Sequence, residues 1–199
     1  MKDKYNNFEQ LLRFERDGVD FRRFICSTTS GWIVIAPHGG GIEPGTSELA
    51  EAIAGKDYSL YTFEGIKKSN NASLHITSVN FDDPELLKLL NSNNETIAIH
   101  GCIGDEEIIY VGGLQHILRD AIITRLTQDG IKATTSPHQM LLGEDVQNIC
   151  NRNTTGKGVQ IELTDGLRRK MFASLSRTGR TIKKAPFNIF VNAIRDVMK

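Results

Sequence analysis

An apolar, β-branched run, Ile33-Val34-Ile35-Ala36, leads straight into Pro37-His38-Gly39-Gly40-Gly41-Ile42-Glu43-Pro44-Gly45-Thr46. Such a run suits a buried strand, and the three glycines after it favour a turn over a continuing regular element. One histidine and one glutamate are thereby placed at the end of a core strand. His38 and Glu43 are five positions apart, which a helix would separate by roughly 140°. They converge only if the segment between them turns back. Pro44 disfavours the α region at Glu43, so the next helix is expected to start at an N-cap on Thr46 or Ser47. Glu48 and Glu51 lie near its positive end, and Gly55 closes it after Ala54.

A second His-Gly pair, His100-Gly101, follows another apolar run, Ile97-Ala98-Ile99. Two strands ending in His-Gly, with a glutamate near the first, supply two nitrogens and a carboxylate. That is the donor pattern of a catalytic zinc site, in which a fourth position stays open for water. The expected metal ligands are therefore His38, Glu43 and His100. A phosphate cradle on Gly39-Gly40-Gly41 is a weaker reading, because no Gly-Lys-Ser/Thr follows.

Metal-assisted hydrolysis also needs a group that moves protons. In Gly158-Val159-Gln160-Ile161-Glu162-Leu163 the alternation sends Val159, Ile161 and Leu163 to one face and Gln160 and Glu162 to the other. Glu162 is the candidate general base, against the plainer reading of a solvent-facing strand glutamate. From Gln160 to Lys199 there are nine Lys or Arg and three Asp or Glu. Arginine forks suit carboxylates, and Arg152 and Arg168 are the expected substrate-binding residues. Lys183 and Lys184 read as a solvated basic face. His75 and His138 remain without a role, each compatible with a structural or a supporting histidine.

With 199 residues, 39% of them hydrophobic, the chain can bury one sizeable core, and residues 1–199 are expected to form one domain. Strands are expected at Trp32–Ala36, Ser59–Phe63, Leu74–Thr77, Ile97–Ile99, Ile108–Val111 and Val159–Leu163. Helices are expected after Asp82-Asp83-Pro84, along Leu114–Leu126 and over Pro186–Met198. The pattern predicts an α/β fold with an open mixed β-sheet flanked by helices. The 24 basic and 24 acidic residues cancel, which disfavours nucleic acid as a partner. Three widely spaced cysteines fit a reducing compartment. No run reaches membrane-spanning length and no apolar leader is visible, so cytoplasmic synthesis without a signal peptide and no membrane partner are expected.

The blocks Pro37–Ser47, Leu74-His75-Ile76-Thr77-Ser78, Asn80-Phe81-Asp82-Asp83-Pro84, Ile99-His100-Gly101, Val111-Gly112-Gly113-Leu114, Asn148–Arg152 and Gly158–Leu163 are ordered along most of the chain. Together they resemble the phage poly-γ-glutamate hydrolase family, found in bacteriophages and prophages of bacilli. The resemblance implies a zinc peptidase with a zinc-carboxypeptidase-like core that cuts the γ-amide bonds of poly-γ-glutamate. It carries the metal set onto His38, Glu43 and His100 and the general base onto Glu162. His38 and Glu43 are spaced more widely than their counterparts in zinc carboxypeptidases, and Asn151-Arg152 comes after the second histidine rather than before it. A monomer released by phage-induced lysis is the expectation that follows. The alternatives are a zinc amidohydrolase acting on a small acylated amino acid or a cell-wall γ-glutamyl amide, and a non-catalytic polyanion-binding module with structural zinc.

Overall fold

Two hydrophobic cores share the opposite faces of one sheet in the computed structural model, which describes residues 3–199. The regular elements are α1 (Phe8–Leu12), β1 (Phe21–Cys26), β2 (Trp32–Gly40), α2 (Thr46–Ala54), β3 (Ser59–Gly65), α3 (Pro84–Leu90) and β4 (Glu95–Cys102). They continue with β5 (Ile109–Gly112), α4 (His116–Gln128), β6 (Ala133–Thr135), β7 (Val159–Thr164), α5 (Asp165–Met171) and α6 (Ala185–Val197). The seven strands are ordered β1-β3-β2-β4-β7-β5-β6. The neighbours β3, β2, β4 and β7 run parallel; β1 is antiparallel to β3, and β5 to β7, while β6 runs parallel to β5. This is the mixed α/β sheet the sequence predicts.

The central strands alternate. Val34, Ala36, Ile97, Ile99, Val159, Ile161 and Leu163 pack under α2, α4 and α6, against Leu49, Ile53, Ile122, Phe190 and Ile194. Ile33, Ile35, Tyr61, Phe63 and Ala98 face the other way, against Phe8, Leu11, Phe81, Leu86 and Leu90. Each large side chain so buried contributes about 1.5–3 kcal/mol.

From β2 the chain passes through α2 to β3 on one side. From β3 it passes through α3 to β4, which pairs with the other edge of β2. The two helices cover opposite faces, so a crevice opens between the carboxyl ends of β2 and β4. Open α/β sheets bind ligands at such a reversal of strand order.

One irregularity sets the direction of His38. Plain alternation would send it after Val34 and Ala36 into the core under α2. Instead the register slips by one residue: Ala36 stands opposite Thr62, but Gly39 opposite Glu64. Pro37 lies in the slip, where a missing N–H costs no ladder bond. His38 is thereby turned to the face of Ile33 and Ile35, its ring edge-on to Phe81 with centroids 6.1 Å apart. Gly40, with φ 65°, runs against β3 so closely that a Cβ there would meet Gly65 O at 2.6 Å.

Several expectations are corrected. Leu74–Thr77 is not a strand: Asn71–Leu74 forms a 3₁₀ turn, and Leu74 and Ile76 are buried over the sheet rather than in it. The Ile76 carbonyl is spent on His38, not on a ladder. Helix α2 takes Gly45 (φ 105°) as its N-cap, while Thr46 Oγ1 donates to Glu43 O at 2.9 Å. The short edge strands β1 and β6 and the short helices α1 and α5 carry too little periodic pattern to be predicted. No helix among the described residues is long and apolar enough to cross a membrane.

Candidate active site

Three strand ends deliver the polar cluster. His38 comes from β2, His100 from β4, and Glu162 from β7, where it stands directly beside His100 in the parallel register. Glu43 returns to His38 through a tight turn closed by its own N–H, which donates to His38 O at 2.8 Å. The Gly101 N–H donates to Glu43 Oε2 at 2.8 Å and fixes the carboxylate.

His38 Nε2 lies 2.8 Å from Ile76 O. A carbonyl only accepts, so Nε2 carries the proton and the Nδ1 lone pair faces inward. That lone pair is 3.1 Å from Glu43 Oε1 and 3.1 Å from His100 Nδ1, and His100 Nδ1 is 3.7 Å from Glu43 Oε2. A lone pair aimed at a carboxylate oxygen is repulsive unless a cation or proton lies between them. Donors around a tetrahedral zinc, each 2.0–2.1 Å from it, are roughly 3.3 Å apart. The nitrogen and oxygen donors and their spacing therefore fit a zinc ion. His100 Nε2 is buried and has no hydrogen-bond partner among the described residues.

A third histidine joins them. His75 stacks on His38 with centroids 4.1 Å apart, and its Nε2 is 3.8 Å from Glu43 Oε1. Donor atoms of His38, Glu43 and His75 lie within 4.8 Å of one another. Two metal-competent sets thus overlap on His38 and Glu43. The sequence reading left His75 without a role, and the segment that delivers it was read as a strand.

The charges follow from burial and neighbours. Burial raises the Glu43 pKa, but His38 and His100 outweigh it and hold the carboxyl well below the usual range. Burial works against a charged His100, yet Glu43 and Glu162 lift it above its ordinary value. Burial pushes Glu162 up to about 7; Glu43 adds to the rise, and His100 and Arg168 oppose it. A carboxyl near neutrality beside a metal-competent cluster is suited to accepting and returning a proton. Gln160 Nε2 donates to Glu162 Oε1 at 3.0 Å, and Asn148 Nδ2 donates to Gln160 Oε1 at 2.9 Å. Gln160 was legible as a neighbour on the same face of β7, whereas Asn148 comes from a distant turn.

These groups line a groove of about 650 Å³ with Thr77, Ser78, Cys102, Ile103, Met140, Asn148 and Gln160. Among the described residues, no Lys or Arg lines it. Arg168 is buried elsewhere: it donates to Leu163 O, Pro44 O, Cys102 O and Asp165 Oδ1. Its fork ties strand ends together and is not offered to the groove. Arg152 is half-buried after the Ile149–Asn151 turn and also lies outside the lining. His138 packs its ring edge-on to Tyr110, centroids 6.1 Å apart, and does not line the groove.

Known proteins share this architecture. A bacteriophage poly-gamma-glutamate hydrolase superposes with a TM-score of 0.96 at 34% identity, covering 98% of this chain and 96% of its own. A zinc-free YndL structure superposes with a TM-score of 0.93 at 35% identity, covering 98% and 97%. The SPbeta prophage-derived protein YoqZ of Bacillus subtilis is 40% identical over 179 residues, 89% of this chain, which spans 65% of that relative's length. Residues 5–193 match the model of poly-gamma-glutamate hydrolases, and the chain belongs to that family.

Proposed function

We propose that the chain hydrolyses the γ-glutamyl amide bonds of poly-γ-glutamate, with His38, Glu43 and His100 holding a zinc ion and Glu162 as the general base. The observation that carries this reading is the meeting of Glu162 with the His38–Glu43–His100 donors at one end of the sheet. The hydrolase named in the structural comparison and the zinc-free state named for YndL support the substrate and the metal.

Zinc, when bound, supplies a Lewis acid that polarises the amide carbonyl and makes water acidic. The protein's own groups do the rest. Gly101 N–H and the turn hold Glu43 in place, and Ile76 O holds His38 in the tautomer with its Nδ1 lone pair inward. Glu162, steadied by Gln160, takes the proton of the attacking water as its oxygen adds to the amide carbon. It returns that proton to the departing nitrogen as the C–N bond breaks. The polymer's free α-carboxylates meet neutral donors, Ser78, Asn148 and Gln139, since no Lys or Arg among the described residues lines the groove.

The test is the molecular-size distribution of poly-γ-glutamate after incubation with the protein, with and without a zinc chelator. Shortening that the chelator abolishes supports the reading. Intact polymer after incubation with folded, zinc-loaded protein rejects it and redirects attention to small γ-glutamyl amides.

A further inference from the structure

An amide side chain offers an acceptor at one end and donors at the other, so in a row of amides one fixed end sets the polarity of all. Such a row ends on Glu162. The Cys150 N–H donates to Asn148 Oδ1 at 3.1 Å. A backbone N–H only donates, so the NH₂ of Asn148 is turned toward Gln160, where Nδ2 donates to Oε1 at 2.9 Å. Gln160 Nε2 in turn donates to Glu162 Oε1 at 3.0 Å and faces the Leu141 carbonyl at 3.4 Å. A carbonyl only accepts. The N–H at one end and the carbonyl at the other therefore fix the two amides in the same direction, each independently of the other. All three side chains are buried. Gly143, with φ 63°, packs on Gln160 so closely that a Cβ there would stand 2.9 Å from Gln160 Cβ and 3.1 Å from its Oε1.

The consequence falls on one carboxyl group. Oε1 of Glu162 is engaged by an N–H, and Oε2 is the oxygen left to the groove. A carboxyl group whose one oxygen accepts an amide N–H is best matched when its own proton sits on the other. We propose that Asn148 and Gln160 are positioning residues that assign the transferred proton to Glu162 Oε2, with their polarity set by the Cys150 N–H. Oε2 then takes the proton of the attacking water and presents it to the departing nitrogen, while Oε1 stays in its hydrogen bond. This inference rests on Glu162 being the base, and it deepens that reading by naming the reacting atom and the two residues behind it.

The experiment measures kcat and KM for the shortening of poly-γ-glutamate, zinc affinity, and cooperative unfolding, which shows that each variant folds. It compares the parent with Gln160→Met, Asn148→Asp, Glu162→Gln and the two double variants that add Asn148→Asp to Gln160→Met and to Glu162→Gln. Methionine keeps the length of Gln160 without its donor. Aspartate still accepts from the Cys150 N–H but turns a second acceptor toward Gln160, whose amide either loses its partner or reverses and points its oxygen at Glu162. Gln160→Met is expected to lower kcat about 10–100-fold, the worth of a hydrogen bond to a charged group, with KM and zinc affinity like the parent's. Asn148→Asp is expected to lower kcat about 10-fold and to raise KM, because Asn148 also lines the groove. In both double variants Asn148→Asp adds less than about twofold to the kcat loss, because it acts through the other two residues. Parental kcat in Gln160→Met or Asn148→Asp overturns the proposal. Losses of kcat that multiply in the double variants overturn it too, as does a loss in Gln160→Met matched by an equal loss of zinc affinity. Should Gln160→Met not fold, the double variant with Glu162→Gln decides. A zinc-loaded parent that leaves the polymer intact, or undiminished kcat in Glu162→Gln, overturns the proposed function and this inference with it. An impaired Glu162→Gln beside fully active Gln160→Met and Asn148→Asp overturns this inference alone.

Discussion

Gly101 leaves space for Arg168: a Cβ on Gly101 would stand 2.6 Å from Arg168 Cζ. The glycine after the second histidine is thus required by packing beneath the site, while its backbone N–H donates to Glu43. The guanidinium in that space spans Pro44 O, Cys102 O and Leu163 O, beside Glu43, His100 and Glu162 in the chain.

Replacing Arg168 by Met should destabilise the fold by about 3 kcal/mol, because it leaves buried carbonyls and Asp165 without their donor. Denaturant unfolding measures it. A variant of parental stability whose only defect is a raised KM would instead make Arg168 a substrate clamp.

Glu162→Gln should lower kcat by about 10²–10⁴-fold while zinc affinity stays near that of the parent. Stopped assays and a zinc titration on the same preparation check both halves. Undiminished turnover removes Glu162 as the base.

The same substitution has a signature in metal-free stability. In the folded protein the Glu162 pKa is raised from 4.5 to about 7, so its contribution to stability is fully present below pH 4.5 and is lost as pH rises through about 7. Glu162→Gln should remove that loss and flatten the stability curve between those values. Identical slopes in parent and variant, from urea midpoints taken across the range, would contradict the burial argument.

Chelation should give a folded protein without activity, restored by added zinc. Both hydrophobic cores are complete without the ion, and catalytic metal sites differ in this from structural ones. Far-UV circular dichroism through the chelator titration is the check, and cooperative unfolding on metal loss would favour a structural role.

The groove's lining, which among the described residues holds no Lys or Arg, predicts a shallow dependence on salt. Raising ionic strength severalfold should change KM for the polymer by less than about twofold, since few ion pairs are there to be screened. A steep rise in KM would place cationic contacts outside the groove.

How much of this was legible depends on sequence distance and on pattern. His38, Glu43 and His100 stood out because each follows or closes an apolar strand, and Glu162 because period two assigns it a face. Arg168 read as a substrate-binding arginine, because a guanidinium fork suits carboxylates. The carboxylate three residues earlier, Asp165, was the available sign of an internal partner. The pairing of Asp3 with His75 joins segments 72 positions apart and leaves no local signature. Leu74–Thr77 misled because its buried Leu74 and Ile76 alternate as a strand would, although the segment packs across the sheet.

The register slip at Pro37 and His38 makes one strand change parity partway along its length. Before it, even-numbered residues belong to the α2 side of the sheet; after it, an even-numbered residue serves the groove. Substitution cannot make that change, because a side chain keeps the side its backbone position gives it. An insertion or deletion of one residue can. In this architecture a donor crosses from hydrophobic interior to reactive cleft by a change of chain length, so close relatives can tolerate many substitutions along β2 and almost no variation in its count of residues.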